Sequence, residues 1–306
     1  MTPSLLTFLL LLPFLSLSLS SLLITPALSL SLHPQLQQQH ALSIRSNDSI
    51  SISISNGAPT NPFLNPSANP ADLLNLTLIR TVLEHAEDRI ISAIIERSQY
   101  AYDARLYSSP PNSTLDWFLA RQEALLALTG QWELPDQVPF TSRARLPAPV
   151  YPVPTYPSVL HGAAANFSRN HALKKAYLNS TLPSLNLPPS QKTGGPNPAL
   201  GPTLHADTAL LHLLSSRIHL GRYVAESKYA SNTSLYAQPI ASKNLTALNA
   251  LITNTTVEEA NVVRVQSKAG MYGDGAQAQA VGALYRDVLI PLTKEVEVGY
   301  LLGRLS

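Results

Sequence analysis

Two cations stand at a spacing that lets them share one ligand. Arg217 and Lys228 are eleven residues apart in a proline-free segment, roughly 205–231, whose apolar residues recur at helical spacing. At about 100° per residue, eleven residues make close to three full turns, so both side chains project from nearly the same face of a helix. Their heads could meet one compact anion. The alternative is a solvated basic edge.

A carboxylate near the C-terminal end falls on an apolar face. Ile290, Thr293 and Glu297 lie on one stripe of a helical pattern, whereas Glu295 lies on the solvent side. A carboxylate on an apolar face must pair with a cation or be held neutral. Glu297 is therefore a candidate for chemistry, and a purely structural ion pair with Lys228 is the alternative.

Three further residues complete the candidate set. Asn254 and Glu258 are one helical turn apart, although Asn254 could serve only as a helix cap. Arg80 lies next to the apolar stripe of another predicted helix. Together the candidates offer three cations, two carboxylic acids, an amide and a hydroxyl. On a helix bundle, such a set suits a small dianion that carries a hydroxyl or ether oxygen.

Composition narrows the classes of protein. The chain has 306 residues, of which 45% are hydrophobic and 13% charged, with a net charge of +2. It can therefore build a real core, and the near-balanced charge gives no indication of nucleic-acid binding. It has no cysteine, so no disulfide can stabilise it. The sequence lacks glycine-rich phosphate loops, HExxH, GxSxG and Cys/His clusters. We therefore predict no bound metal, no cofactor and no covalent nucleophile.

The periodicity predicts an all-α fold in a single domain, a bundle of helices of mixed length. The proline-rich stretches 135–160 and 183–202 are expected to be loops. Helices are expected over 71–106 (with Asp72 as its cap), 114–128, 170–182, 205–231, 234–252 (short helices), 256–272 and 276–302.

The N-terminal region predicts targeting to the secretory pathway. Residues 5–24 form an apolar, Leu/Ser-rich run, and a small-x-small site follows at 27–29. We interpret 1–29 as a signal peptide, 30–70 as a flexible low-complexity linker and 71–306 as the folded domain. An uncleaved membrane anchor is the alternative; after cleavage no membrane association is expected. Glycosylation sequons fit a secreted glycoprotein, and they occur at Asn47, Asn75, Asn112, Asn166, Asn179, Asn232, Asn244 and Asn254.

Five stretches resemble the eukaryotic all-helical chorismate mutases of fungi and plants. The similarity covers roughly residue 72 to the C-terminus. The matching stretches are LTLIRTVLEHAEDRIISAIIERSQYAYDARLY (76–107), LDWFLARQE (115–123), SSRIHLGRYVAESKY (215–229), ITNTTVEEANVVRVQSKAGMYG (252–273) and LIPLTKEVEVGYLLGRL (289–305).

The resemblance implies one reaction, the Claisen rearrangement of chorismate to prephenate in aromatic amino acid biosynthesis, without a cofactor. It implies that Arg80 and Arg217 hold the two substrate carboxylates, and that Lys228 and Glu297 face the ether oxygen. It further implies that Asn254 bonds a carboxylate, that Glu258 accepts from the ring hydroxyl, and that Ile290 and Thr293 line the pocket. A protonated Glu297, and better activity at mildly acid pH, are expected.

The family's effector site for tyrosine and tryptophan is altered in this sequence. Two adjacent arginines of the family are replaced by Gly130 and Gln131, and a Gly-Ser pair is replaced by Gly201 and Pro202. The acidic side of that site, Glu87-Asp88, remains. We therefore predict an enzyme that tyrosine and tryptophan do not regulate. The family also implies a homodimer, whose geometry the altered 130–136 segment affects.

The combination of a signal peptide and a degenerate effector site is similar to the secreted mutases of plant-associated fungi, effectors that divert chorismate inside a host cell. By that analogy the chain is secreted and possesses mutase activity. The second hypothesis is a secreted, non-catalytic helical effector or binding protein on the same scaffold. Formation of prephenate distinguishes the two hypotheses.

Overall fold

The computed structural model describes residues 61–108, 113–185, 187–188 and 198–305, and the regular elements of this part are helices without strands. Two π-helical turns, Tyr177–Thr181 and Tyr285–Leu289, follow α4 and α11. The all-α prediction is confirmed. The α-helices are α1 (Pro70–Leu73), α2 (Leu76–Arg97), α3 (Thr114–Leu128), α4 (Asn170–Ala176), α5 (Leu182–Ser184), α6 (Leu200–His219), α7 (Gly221–Ser231), α8 (Thr233–Ala241), α9 (Leu245–Ile252), α10 (Thr255–Tyr272), α11 (Gly275–Leu284) and α12 (Ile290–Gly303).

The single helix expected over 205–231 is in fact two helices, α6 and α7, that meet at Leu220. Leu220 keeps nearly helical backbone angles, with φ −58° and ψ −20°, so the direction of the chain changes little at the junction. The face that Arg217 and Lys228 were predicted to share therefore survives the break.

The helix expected over 71–106 begins later and is shorter than predicted. Asn75 caps α2 in place of the expected Asp72, because its Oδ1 accepts a hydrogen bond of 2.9 Å from the backbone N–H of Thr77. α2 then ends at Arg97, and only a short 3₁₀ turn follows at 104–106.

The last predicted helix, 276–302, is interrupted by the π-helical turn 285–289. Pro291 is the second residue of α12, and it has no N–H to donate to the carbonyl four residues earlier. A wider turn directly before the proline accommodates this missing bond. The stripe that contains Ile290 and Glu297 therefore begins immediately after the turn.

The helical unit includes residues that were expected to belong to a linker. Phe63 is fully buried, and its ring packs edge-on against Tyr223 with ring centroids 4.7 Å apart. The boundary predicted at residue 71 is therefore too late. Residues 1–60 lie outside the described residues, and with them the predicted signal peptide 1–29 and most of the predicted linker 30–70.

The helices that carry the candidate residues are neighbours. α2 packs along α6 and α10, while α7 and α6 pack along α12. An apolar core links these helices, and its fully buried members include Ile90, Ile94, Leu210, Leu214, Ile218, Val265, Leu289 and Val296. Within the described part of the chain, no helix has both the length and the apolar character of a membrane span.

Candidate active site

A pocket of about 360 Å³ lies between α2, α6, α7, α10 and α12, and we call it the central pocket. Four segments far apart in sequence contribute to it, so only the packing of the helices brings them together. All eight residues predicted to act on or bind a substrate line this pocket: Arg80, Arg217, Lys228, Asn254, Glu258, Ile290, Thr293 and Glu297.

Lys228 and Glu297 form an ion pair in the wall of the pocket. The Lys228 Nζ donates hydrogen bonds to Glu297 Oε2 at 2.9 Å and to the Ile252 carbonyl at 3.0 Å. Burial raises the pKa of the Glu297 carboxyl above its ordinary value; Lys228 and Arg217 oppose this shift, and the nearby Glu258 adds to it. Glu297 therefore takes up a proton more readily than an exposed glutamate, beside a fixed cation.

The two arginines hold unused hydrogen-bond donors. Arg217 is buried, and its Nε has no partner among the described residues. Its guanidinium lies over the ring of Tyr285, 6.0 Å from the ring centre, in a cation–π contact. Arg80 is exposed at the rim and makes no ion pair within the described part of the chain. Two unpaired guanidiniums facing one pocket suit a ligand with two carboxylates.

Asn254 serves as a helix cap and still has hydrogen-bonding capacity. Its Oδ1 accepts from the backbone N–H of Val257 at 3.1 Å and so caps α10. The amide nitrogen remains a donor, so capping and ligand binding are compatible. Thr293 instead donates its hydroxyl hydrogen to the Leu289 carbonyl at 2.7 Å, which leaves only its oxygen to accept.

Lys294 is a pocket residue that the sequence analysis missed. Its Nζ pairs with Glu258 Oε2 at 2.9 Å and lies on the pocket wall. The signal was present in the spacing, because Lys294 is four residues after Ile290 and three before Glu297. Glu295 behaves as expected: it is exposed and pairs with Arg169 at the surface. The pocket thus contains a second lysine–glutamate pair.

Comparisons with known proteins place the chain in a family. The family model "Chorismate mutase type II" matches residues 204–298, which include every candidate residue except Arg80. A chorismate mutase of Trichoderma parareesei is 36% identical over 253 residues, which is 76% of this chain and 94% of that protein. The chain belongs to the chorismate mutase family. The Saccharomyces cerevisiae chorismate mutase is 34% identical to this mutase and aligns over 78% of it and 98% of its own length.

Solved structures agree with this assignment. The Candida albicans chorismate mutase Aro7p, solved with L-Trp, matches with a TM-score of 0.71 and 31% identity over 78% of this chain and 94% of that one. The Zea mays chloroplast chorismate mutase matches with a TM-score of 0.68 and 34% identity over 78% and 98%. The predicted fold and enzyme class, an isomerase of the chorismate mutase type, are therefore confirmed.

A glycine lets two helices of the mutase approach each other at the pocket. A Cβ on Gly221 would stand 3.2 Å from both Cγ2 and the carbonyl oxygen of Thr293, and 3.4 Å from Cγ of Glu297. The absence of a side chain on α7 therefore sets the distance between Lys228 and its partner on α12.

Gly221→Val is expected to destabilise the mutase by about 1–3 kcal/mol, since the added methyl groups must push α7 and α12 apart. It should also lower activity, because the Lys228–Glu297 contact spans the same gap. Urea unfolding measures the first effect. The matched control is Gly270→Ala in α10, where no atom lies within 4 Å of the added Cβ and a gain of about 0.5–1 kcal/mol is expected. Equal stability of the Gly221→Val variant and the parent would refute this account.

The residues predicted as a degenerate effector site do not line the central pocket. The Glu87 carboxylate is buried and accepts from Arg264 at 2.6 and 3.0 Å, and Lys268 lies 3.3 Å from Glu87 and 2.9 Å from Asp88. The two acids therefore tie α2 to α10 and are not free. Gly201 and Pro202 lie in the first turn of α6, and Gly130 and Gln131 lie just after α3.

Proposed function

We propose that this mutase converts chorismate to prephenate in the central pocket. The observation that carries the proposal is the Lys228–Glu297 pair, held 2.9 Å apart in the same pocket as Arg217, whose Nε has no partner among the described residues. In this rearrangement the ether C–O bond breaks as a C–C bond forms within the same molecule. The protein therefore has to fold the substrate and stabilise charge, and it needs no covalent intermediate.

The charges of the pocket match the substrate from end to end. Arg80 and Arg217 would each take one carboxylate in a planar, two-point contact. The Lys228 ammonium and a protonated Glu297 would both donate to the ether oxygen, where negative charge grows as the bond breaks. Glu258, held by Lys294 at 2.9 Å, would accept from the ring hydroxyl, and Asn254 would donate to a carboxylate.

A prephenate assay on the purified chain tests this function. We expect chorismate to be consumed and prephenate to accumulate without any added metal or cofactor. A well-folded chain that binds chorismate but forms no prephenate would instead support the non-catalytic binding protein.

We further propose that tyrosine and tryptophan do not regulate this mutase, although relatives have been solved with L-Trp or with tyrosine in an allosteric site. Gly130 has a left-handed φ of 78°, and a Cβ there would stand 2.2 Å from Cγ1 of Val153. Any side chain at position 130, including the arginine of the family, would clash with the loop. The effector carboxylate therefore lacks its clamp.

The same assay, run with and without micromolar tyrosine or tryptophan, is expected to give unchanged rates. An effector changes the rate only if it binds two conformations of the enzyme with different affinities. Without its clamp, the effector is not expected to do so here. The Candida albicans relative that was solved with L-Trp, assayed in parallel, shows whether the assay detects a response. A several-fold change in the rate of this mutase with either amino acid would contradict the proposal.

We propose a homodimer formed through the outer face of α3. Trp117 and Leu125, eight residues apart on that helix, are 58% and 67% exposed, which is unusual for large apolar side chains on the same face. Arg121 lies between them, with its guanidinium 6.0 Å from the Trp117 ring centre. Light scattering of the parent and of Leu125→Glu tests this; a parent that is monomeric would overturn it.

We propose that the protein is secreted after removal of residues 1–29, because the apolar run 5–24 is followed by a small-x-small site. Relatives described as cytosolic and chloroplastic make a direct test necessary. Fusion of residues 1–60 to a reporter should deliver it to the medium, and retention in the cytosol or a plastid would overturn the proposal.

Helix capping accounts for four of the glycosylation sequons. Asn75, Asn232, Asn244 and Asn254 each cap a helix with their side-chain oxygen. Their presence therefore adds little support for glycosylation, and a glycan on Asn254 would block the pocket. Asn47 and Asn112 lie outside the described residues. We expect Asn179, which is exposed and caps no helix, to be the described site that peptide mapping finds modified. Asn166 is exposed as well, but it lines a second cavity, which a glycan there would obstruct.

A further inference from the structure

A second cavity, of about 1030 Å³, lies on the other side of α7 from the central pocket, and we call it the loop cavity. Its walls are the loop residues 132–135, 137–143 and 153–160, residues 165, 166, 168, 170 and 171, and Arg222 and Tyr223 of α7. None of its lining residues lines the central pocket, and the six residues of the degenerate effector set do not line it, although 132–135 directly follow Gly130 and Gln131. It is therefore a separate site.

The loop that forms one wall is fastened to the helices. The buried Glu123 carboxylate accepts from the backbone N–H groups of Phe140 at 2.6 Å and Thr141 at 2.7 Å. Asn170 donates to two carbonyls of the same loop at 2.9 and 3.0 Å, and the Tyr223 hydroxyl donates to a third at 3.0 Å. These bonds hold the cavity open without a ligand, so binding would require little rearrangement.

Arg222 places a buried positive charge in this wall. Its side chain is 5% exposed, its Nε donates to the His219 carbonyl at 3.1 Å, and its Nη1 donates to the Ala165 carbonyl. It forms no ion pair with any described carboxylate. Burial lowers the pKa of the guanidinium, and Asp136, which opposes that shift, does not line the cavity. A buried cation without an anion is costly, and an anionic ligand would remove that cost.

The other lining residues indicate the chemical character of the part of the ligand that is not its carboxylate. Arg143 is a second cation in the wall; it is half-exposed, 3.8 Å from Glu133, and it donates to the Trp132 carbonyl. Just over half of the other lining residues are apolar or aromatic, among them Trp132, Pro135, Pro139, Phe140, Tyr156 and Pro157, and the rest are polar, including Glu133 and His171. Guanidinium groups bind planar carboxylates well, and aromatic rings and prolines favour an apolar body.

We propose that the loop cavity binds a small carboxylate carried on an aromatic or apolar body, with Arg222 as its principal anchor. Arg143 contributes a second, more solvated contact. The ligand is distinct from the substrate dianion, since this wall has two cations, Arg222 and Arg143, whereas four cations line the central pocket, Arg80, Arg217, Lys228 and Lys294.

Trp132 lines the loop cavity, so its fluorescence can report the binding of a ligand there. The chain has two tryptophans, and Trp117 on α3 does not line the loop cavity, so Trp117→Phe leaves Trp132 as the only tryptophan. Titration of that variant with phenylacetate should change the fluorescence and saturate. Acetate, which lacks the aromatic body, and benzyl alcohol, which lacks the charge, should bind more weakly.

Adding Arg222→Met to this variant should weaken phenylacetate binding at least about tenfold, the loss of one charge-assisted hydrogen bond. Arg80→Met, in the central pocket, is the matched control and should leave the affinity unchanged. If Arg222→Met does not fold, Arg143→Gln should weaken binding several-fold.

Three results would overturn the proposal. They are no saturable response to phenylacetate, equal affinity with and without the Arg222 substitution, and saturation by inorganic phosphate in preference to phenylacetate.

Discussion

Replacing Lys228 by methionine should lower kcat about 10²–10³-fold, as expected when one preorganised donor to a developing negative charge is removed. The Lys228 Nζ is fixed by two hydrogen bonds, to Glu297 and to the Ile252 carbonyl, so the donation to the ether oxygen that we propose would need little reorganisation. KM should change less, because the two arginines bind the substrate carboxylates in ground and transition states alike. Steady-state kinetics of prephenate formation measure both constants.

The Lys228→Met variant is expected to stay folded. Without Lys228, the Glu297 carboxyl takes up a proton more readily, so no bare buried anion remains. Circular dichroism checks this point. The matched control is Lys175→Met, an exposed lysine on α4, which should keep full activity. A folded Lys228→Met variant with kcat near that of the parent would exclude Lys228 from catalysis.

Replacing Glu297 by glutamine should flatten the pH profile of kcat. Glu297 can donate to the ether oxygen only when it is protonated, and burial raises its pKa. Activity of the parent should therefore be highest at mildly acid pH and fall as pH rises through that raised pKa, by about tenfold per pH unit. The glutamine amide donates at every pH, so the variant should match or exceed the parent at neutral and alkaline pH.

A matched control separates this role from a general effect of removing a charge. Glu295 lies on the same helix, is exposed and pairs with Arg169, so Glu295→Gln should keep the pH profile of the parent. If Glu297→Gln loses activity at every pH while chorismate binding stays intact, Glu297 acts only as the structural partner of Lys228.

Much of the site was predictable because helical periodicity converts spacing into geometry. Arg217 and Lys228 lie eleven residues apart and line the same pocket, even though the helix breaks at Leu220. Glu297 was singled out by its place on an apolar stripe, and it is buried with a raised pKa. Arg80 was a candidate because it lies beside the apolar stripe of its helix, and the family resemblance supplied its expected role. The roles of these residues remain predictions.

Other features were decided by partners far along the chain. Glu87 and Asp88 were predicted to be the remaining acidic side of an effector site, and in the structure they pair with Arg264 and Lys268 of α10. Lys294 meets Glu258 across two helices, and no local pattern identifies that pair. The loop cavity forms only because Glu123 and Asn170 hold distant loop residues in place.

The sequence by itself determined the all-α class, the approximate positions of the helices and the face on which each candidate residue lies. These properties depend on interactions within one helix, between residues three or four apart. The tertiary structure alone decided the convergence of α2, α6, α7, α10 and α12 on one pocket, and which charges are paired within it. Those outcomes depend on how apolar faces pack between helices and on which charges that packing buries, and the spacing of residues along one helix does not specify either.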